Sequence, residues 1–218
     1  MLNKASKSQL YVVKIIFLLF LILSMQQSIA SDISGEIKTY IGNIKSITVE
    51  FLQSDSNGSK SKGMLIIDKP HKFRCNYYEP FPLVIVGGSN YISIYDYEME
   101  HLSRIKVEDN IFNFLLVNDI DFENKFKILS TKTIGNKYVL KLKSNDLNKI
   151  SEIYFDKKTK HIKQMKIYEN NNIITLSFGT TKQIKNVAKT LFIMKDPDVF
   201  EKPSRLNKKD LEKRFTKI

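Results

Sequence analysis

Three histidines, His71, His101 and His161, are the side chains best suited to metal ligation or proton transfer, and each falls in a different predicted strand. None sits in a His-x-x-x-His or Cys-x-x-Cys pattern, so no zinc ligand set is apparent. Asp119-Ile120-Asp121 offers two carboxylates that a metal could take, although the same spacing is ordinary in a polar loop. Asp55-Ser56-Asn57-Gly58 begins like a calcium loop but lacks the Glu required downstream, and reads as a turn. The stretch VGGSN, residues 86–90, is not the Gly-x-Ser-x-Gly elbow of hydrolases. A triad assembled from distant positions stays open, but nothing in the spacing asks for one. The expectation is a protein that is not an enzyme and carries neither metal nor cofactor.

What the chain offers instead is apolar surface. Phe51, Phe73, Tyr77, Tyr95, Tyr138, Leu140, Leu142, Phe155 and Phe178 fall on alternating positions of predicted strands, so each set shares one face of a sheet. One reading is a filled core packed against helices. The other is a hydrophobic cavity, because a curled sheet encloses a concave volume that a few short helices do not fill.

The elements that must position these residues are mostly strands. ITVEFLQS alternates, Asn57-Gly58 marks a hairpin turn, KGMLIIDK returns, and HKFRCNYYEP leaves again after Pro70. PLVIVGG, NYISIYDY and EMEHLSRIKV continue the series. From residue 125 come KFKILSTKT, KYVLKLKS, SEIYFDKK, HIKQMKIYEN and NIITLSFGTTKQI, with a last strand expected around TLFIM. Two segments differ. Ile33, Ile37, Tyr40, Ile41 and Ile44 recur at steps of three and four, which predicts an amphipathic helix capped by Asp32 or Ser34. Ile111, Phe112, Phe114 and Leu115, in DNIFNFLLVNDIDF, suit a short helix between the two sets of strands. The polar, basic stretch at about 196–218 is expected to be a short helix or a frayed end.

The order is therefore helix, about six strands, short helix, and five or six strands. Helices do not alternate with strands, which disfavours a parallel α/β fold. A single antiparallel sheet of about 11 strands must curl or close. The expected class is mainly β (α+β), with the helices on the concave side.

The chain has 218 residues, 42% of them hydrophobic, with only 8 Gly and 5 Pro, which suits one domain over 31–218 and argues against disorder. Lys4, Lys7 and Lys14 precede the nine apolar residues Ile15–Leu23, and Ser28-Ile29-Ala30 follows as a small-x-small cleavage pattern. This reads as a signal peptide over 1–30, cleaved after Ala30, since a stable span needs roughly 20 apolar residues. No Cys lies near the cleavage site to carry a lipid. Cys75 stands alone, so no intramolecular disulfide forms even in an oxidising compartment. Loss of Lys4, Lys7 and Lys14 takes the net charge from +12 to +9. The lysines are spread along the strands rather than run together, so nucleic acid is not the expected partner, while anionic headgroups or an acidic partner remain compatible.

The segment FLQSDSNGSKSKGMLIIDKPHKFRCNYYEP, followed by VIVGGSNYISIYDYEMEHL, resembles the periplasmic lipoprotein carrier (LolA) family. The shared features are Phe51 and Gln53, Gly63 and Leu65, Lys69-Pro70, Phe73, Pro80 and Tyr95. Cys75 and Ser93 stand where that family usually has Trp, Lys69 replaces the usual Arg, and Gly87-Gly88-Ser89 replaces an Asp-Gly turn. The resemblance implies an unclosed antiparallel β-barrel under a helical lid. It also implies a monomeric soluble chaperone that takes lipoproteins from an inner-membrane ATP-driven releasing complex to an outer-membrane lipoprotein acceptor. On that basis Phe51, Phe73, Tyr77, Tyr95, Leu140, Leu142, Phe155 and Phe178 are expected to line the lipid cavity. Ile111, Phe112, Phe114 and Leu115 would form its lid, and Lys69 the latch that hydrogen-bonds lid backbone. Two other roles remain: an envelope-sensing or lipid-binding adaptor of the same fold, and an exported hydrolase.

Overall fold

The computed structural model describes residues 33, 35–78, 80–88, 90–107, 115–116, 126–145 and 149–218. The expected signal peptide, the Asp119–Asp121 pair and the lid residues Ile111, Phe112 and Phe114 lie outside these residues.

Thirteen strands occur among the described residues, all paired antiparallel. The first six form a meander: β1 (Ser46–Ser54), β2 (Lys60–Asp68), β3 (Lys72–Tyr77), β4 (Leu83–Gly87), β5 (Tyr91–Asp96) and β6 (His101–Lys106). A second meander runs through β7 (Phe126–Ile134), β8 (Lys137–Ser144), β9 (Ile150–Asp156), β10 (Ile162–Glu169) and β11 (Asn172–Phe178). β11 returns to pair with β1, with Phe51 opposite Phe178, and joins the two meanders into one sheet. β6 and β7 are left as its two ends, unpaired with each other among the described residues. The sheet is thus an unclosed barrel, and residues 107–125 connect its two open edges.

The stretch read as one strand from Asn172 onward divides at Gly179. β12 (Lys182–Lys185) continues along the same edge of β1, with Ile47 opposite Gln183. The Gly179 N–H holds the junction by donating to the Glu50 carbonyl at 2.8 Å.

Helix α1 covers 35–43, as the three-and-four spacing predicts, and Ile33, Ile37, Ile41 and Ile44 are all buried. One flank is tied to the β9–β10 turn by an ion pair between Glu36 and Lys160 and by the Tyr40 and His161 rings, whose centroids are 5.6 Å apart. These contacts set α1 on the concave face, in one hydrophobic cluster with Leu140, Leu142, Ile153 and Phe155.

The C-terminal stretch does more than the sequence suggested. The strand expected around TLFIM is a 3₁₀ turn, Lys189–Phe192. It is followed by helix α2 (Lys208–Glu212), whose Asn207 and Asp210 side chains cap each other's backbone N–H, and by the short β13 (Thr216–Lys217). Leu191, Leu211 and Phe215 are buried against Met64, Ile66 and Ile184 on the outer face of the sheet. That explains the unbroken apolar run MLII in β2: Leu65 and Ile67 face inward, Met64 and Ile66 face the tail, and both faces are covered. Arg74 anchors the same seam. It is 5% exposed, and it donates to the Leu191 carbonyl at 3.0 Å and to Asn76 Oδ1 at 2.7 Å. Asn76 in turn donates to the Leu206 carbonyl at 3.2 Å.

Candidate functional site: an apolar cavity in the concave face

Antiparallel register builds the site one strand at a time. Leu65 pairs with Cys75, Cys75 with Ile85 and Ile85 with Ile94, a row of side chains that crosses β2 to β5 on the inner face. A neighbouring row brings Ile67, Phe73, Gly87 and Ile92 together. Phe51 and Phe178 close the near side, and the Phe51 ring meets Tyr77 edge-on at 5.0 Å. Tyr77 is fixed by donating its hydroxyl proton to Gln53 Oε1 at 2.8 Å. That gives the Phe-x-Gln pair of β1 a physical role: Phe51 contributes surface and Gln53 orients a second ring.

Between these rows lies a cavity of about 170 Å³ with a nearly wholly apolar lining. Its walls come from β1 to β6 and β11, and Leu115 and Leu116 of the β6–β7 connection close it. Among the described residues none of the lining comes from α1 or from β7 to β10, because α1 occupies the concave face on that side. The sheet is therefore filled by a helix on one side and hollow on the other.

Of the eight expected cavity residues, Phe51, Phe73, Tyr77 and Phe178 line this space. Leu140, Leu142 and Phe155 belong to the same hydrophobic cluster but lie outside the cavity lining. Tyr95 is a correction. It is 1% exposed but sits on the outer face with Val84 and Val86, beneath Phe192 and Met194 of the tail. The cause is register: Tyr95 pairs with Val84, which faces out, whereas Ile94 pairs with the inward Ile85. Ile92 and Ile94 are the inward pair, and period-two alternation in YISIYDY shows both sets without saying which turns in. The Gly-Gly-Ser sequence predicts a turn, yet Gly87 ends β4 under the Phe73 ring, where an added Cβ would come within 1.8 Å of Phe73 Cε1.

Leu115 lines the cavity, and so does Leu116, which the sequence reading does not single out. The β2–β3 turn holds this segment through the His71 N–H, which donates to the Leu116 carbonyl at 2.8 Å. Lys69 Nζ donates to the Ile41 carbonyl of α1 at 2.7 Å, and Lys69 N–H donates to the Lys45 carbonyl at 2.9 Å. One turn thus reaches both the helix and the connection.

The electrostatics are those of a dry site. Burial lowers the Lys69 ammonium to about 8. Burial also pushes the Cys75 thiol and the Tyr77 phenol well above their ordinary ranges, so both stay neutral. Among the described residues no three His, Cys, Asp or Glu side chains gather. His71 is in the β2–β3 turn, His101 begins β6 and His161 precedes β10, far from one another in the sheet order. Asp55 Oδ1 accepts the Asn57 and Ser59 N–H groups, an ordinary side-chain-stabilised turn. Among the described residues no helix is long and apolar enough to cross a membrane.

An antiparallel sheet left open along one side, with a helix on part of its concave face and an apolar cavity on the rest, defines the class: a half-open β-barrel. Residues 42–195 match the family described as outer membrane lipoprotein carrier protein LolA, and the chain belongs to that family. It is 44% identical over 181 residues to an uncharacterised protein of Rickettsia prowazekii, covering 83% of this chain and 85% of that one. It is 28% identical over 195 residues to an outer-membrane lipoprotein carrier protein of Francisella philomiragia, covering 85% and 94% of the two chains. Among solved structures, a LolA superfamily protein from Nitrosomonas europaea is 8% identical and covers 73% of this chain and 97% of its own, at a TM-score of 0.44.

Proposed function

We propose that this protein is a periplasmic carrier that holds the acyl chains of lipoproteins in the β1–β6 cavity and ferries them from the inner to the outer membrane. The observation that carries the reading is the vacant apolar space between β1–β6 and Leu115–Leu116. Membership of the lipoprotein carrier family and the name of the Francisella relative support it.

The physical need is plain. Each buried CH₂ is worth about 0.8 kcal/mol, so a sixteen-carbon chain costs on the order of 12 kcal/mol to hold in water. A concave apolar wall removes that cost without directional chemistry, and rings such as Phe51, Phe73 and Phe178 supply area at small entropic cost. The carrier must also release its cargo. At about 170 Å³ the cavity is smaller than the usual range for ligand sites, about 300–1,000 Å³, and close to the size that holds a benzene-sized guest. An acyl chain therefore enters only if the β6–β7 connection withdraws Leu115 and Leu116.

In this reading Ile111, Phe112, Phe114 and Leu115 form the lid. The β2–β3 turn latches it, with Lys69 as the latch side chain that also braces α1, and the His71 N–H holding the Leu116 carbonyl. Lid and lipid compete for one surface, which makes loading a two-state balance of a few kcal/mol. The chain is exported, loses residues 1–30, receives cargo from an ATP-driven complex and passes it to an outer-membrane acceptor.

The test is displacement of a fluorescent apolar probe from the purified mature protein, with mass spectrometry of whatever co-purifies. Saturable displacement by a triacylated lipopeptide is expected. A probe that does not bind, or that a lipopeptide does not displace, overturns the reading.

A further inference from the structure

Along the chain the lysines of the second meander look dispersed, but pairing collects them. Alternation puts Lys127 and Lys132 of β7, Lys137, Lys141 and Lys143 of β8, and Lys166 of β10 on the outer face of the sheet, away from α1. Lys127 pairs with Lys143, and the row Lys141, Glu152, Lys166 crosses β8 to β10. The same face carries the carboxylates of Glu152 and Asp156, so six lysines meet two acids, a surplus of four positive charges. All six lysines are exposed or half-exposed. Lys127, Lys132, Lys137 and Lys143 form no ion pair among the described residues, whereas Lys141 reaches Glu152 at 3.5 Å.

Two further features point to an anion outside the chain. Like charges directly opposite each other on a sheet destabilise it, and the Lys127–Lys143 pair is such a case. Tyr154 and Tyr168 lie half-buried among the lysines, with Lys166 Nζ 5.6 Å from the Tyr154 ring centre and Lys141 Nζ 5.7 Å from that of Tyr168. Both phenols pack against Glu152, whose carboxyl is held below its usual range; burial opposes this, but hydrogen bonds from Tyr154 and Tyr168 and the nearby Lys141 outweigh it. Glu152 thus stays ionised and spaces the flanking ammonium groups. The first-meander half of the same face differs, being covered by the C-terminal stretch.

We propose that the outer face of β7–β10 is a docking surface for an anionic membrane, holding the protein loosely by its lysines while the open side of the barrel stays free. The choice of membrane over an acidic protein rests on the side chains. The four arginines of the chain, Arg74, Arg104, Arg205 and Arg214, all lie elsewhere, so the face has point charges on flexible stems and no bidentate fork for a defined carboxylate. Lysines with tyrosines set at the same level suit a plane of headgroups, where long stems snorkel and phenols sit at the interface. The exposed aliphatic groups of β7 are few, Leu129 (41% exposed) and Ile134 (56% exposed, opposite Lys137), so attachment rests mainly on charge and is readily reversed. This surface is separate from the cavity and does not need the cargo reading to hold.

The experiment is co-sedimentation of the mature protein with vesicles of neutral phosphatidylcholine, alone or with about 30% phosphatidylglycerol. Retention on the anionic vesicles is expected to exceed that on neutral ones by about tenfold at low salt and to vanish near 1 M salt, where the screening length is about 3 Å. The charge-reversed variant Lys127→Glu/Lys132→Glu/Lys143→Glu should lose retention and keep its thermal unfolding and its apolar-probe binding. The neutral variant Lys127→Gln/Lys132→Gln/Lys143→Gln serves the same purpose if the reversed one fails to fold. Equal retention on neutral vesicles, or unchanged retention in the folded variant, overturns the proposal. So does binding to polyglutamate without binding to vesicles, which would assign the face to an acidic protein. Failure of probe binding with vesicle binding intact would instead count against the cavity reading alone.

Discussion

Replacing Cys75 by Phe separates a vacant cavity from a filled core by the sign of one measurement. Cys75 is buried in the middle of β3, its side chain lines the cavity, and it forms no disulfide, so the substitution acts through volume alone. Leaving apolar space empty costs about 24 cal/mol per Å³, so a cavity of about 170 Å³ represents at most ~4 kcal/mol of forgone stability. A phenyl ring in place of a thiol fills only part of that space and loses some rotamer freedom. A net gain of about 1–2 kcal/mol is therefore expected. At this chain length that raises Tm by roughly 2–8 °C. The assays are thermal unfolding and titration with an apolar fluorescent probe. The variant should melt higher and bind the probe at least about tenfold more weakly, because one group now occupies the guest's place. In a filled core the same ring would overpack and destabilise by about 1–3 kcal/mol. A lower Tm with probe binding unchanged would refute the reasoning.

Two other perturbations test separate parts of the construction. Arg74→Leu removes the donors to the Leu191 carbonyl and to Asn76, at an expected cost of about 1–3 kcal/mol. Because Arg74 and Cys75 point to opposite faces, trypsin should cut faster at Lys195 and Lys202 while probe binding persists; unchanged cleavage would sink the assignment. Lys69 provides a pH test. Its folded value of about 8 lies below the unfolded value of about 10.4, so between these limits the unfolded chain binds more protons. This group's contribution to stability therefore rises as pH climbs through that window and is flat below it. Solvent screening of the half-exposed amine reduces the amplitude. The difference in unfolding free energy between wild type and Lys69→Met should grow from pH 7 to pH 10, and a constant difference would count against the buried position.

Strand content and the helix over 35–43 were legible in the sequence, because periods of two and three-to-four are local properties of neighbouring residues. Phe51, Phe73, Tyr77 and Phe178 were legible as cavity candidates for the same reason: they are the aromatic side chains on the alternating sets of β1, β3 and β11. The inward face of β5 was not. Both Ile92–Ile94 and Tyr91–Tyr95 are apolar enough to be buried, and only the pairing of Ile94 with Ile85 sends the tyrosine outward. The polar composition of the tail likewise hid Leu191, Leu211 and Phe215, which are buried because β2 presents a second apolar face to meet them. The lysines of β7, β8 and β10 lie far apart along the chain and become neighbours only through the ladder. Local alternation thus determined that this chain forms strands and one amphipathic helix. Which faces turn inward, which space α1 fills and which it leaves empty depend on strand register, set by contacts between residues distant in the chain.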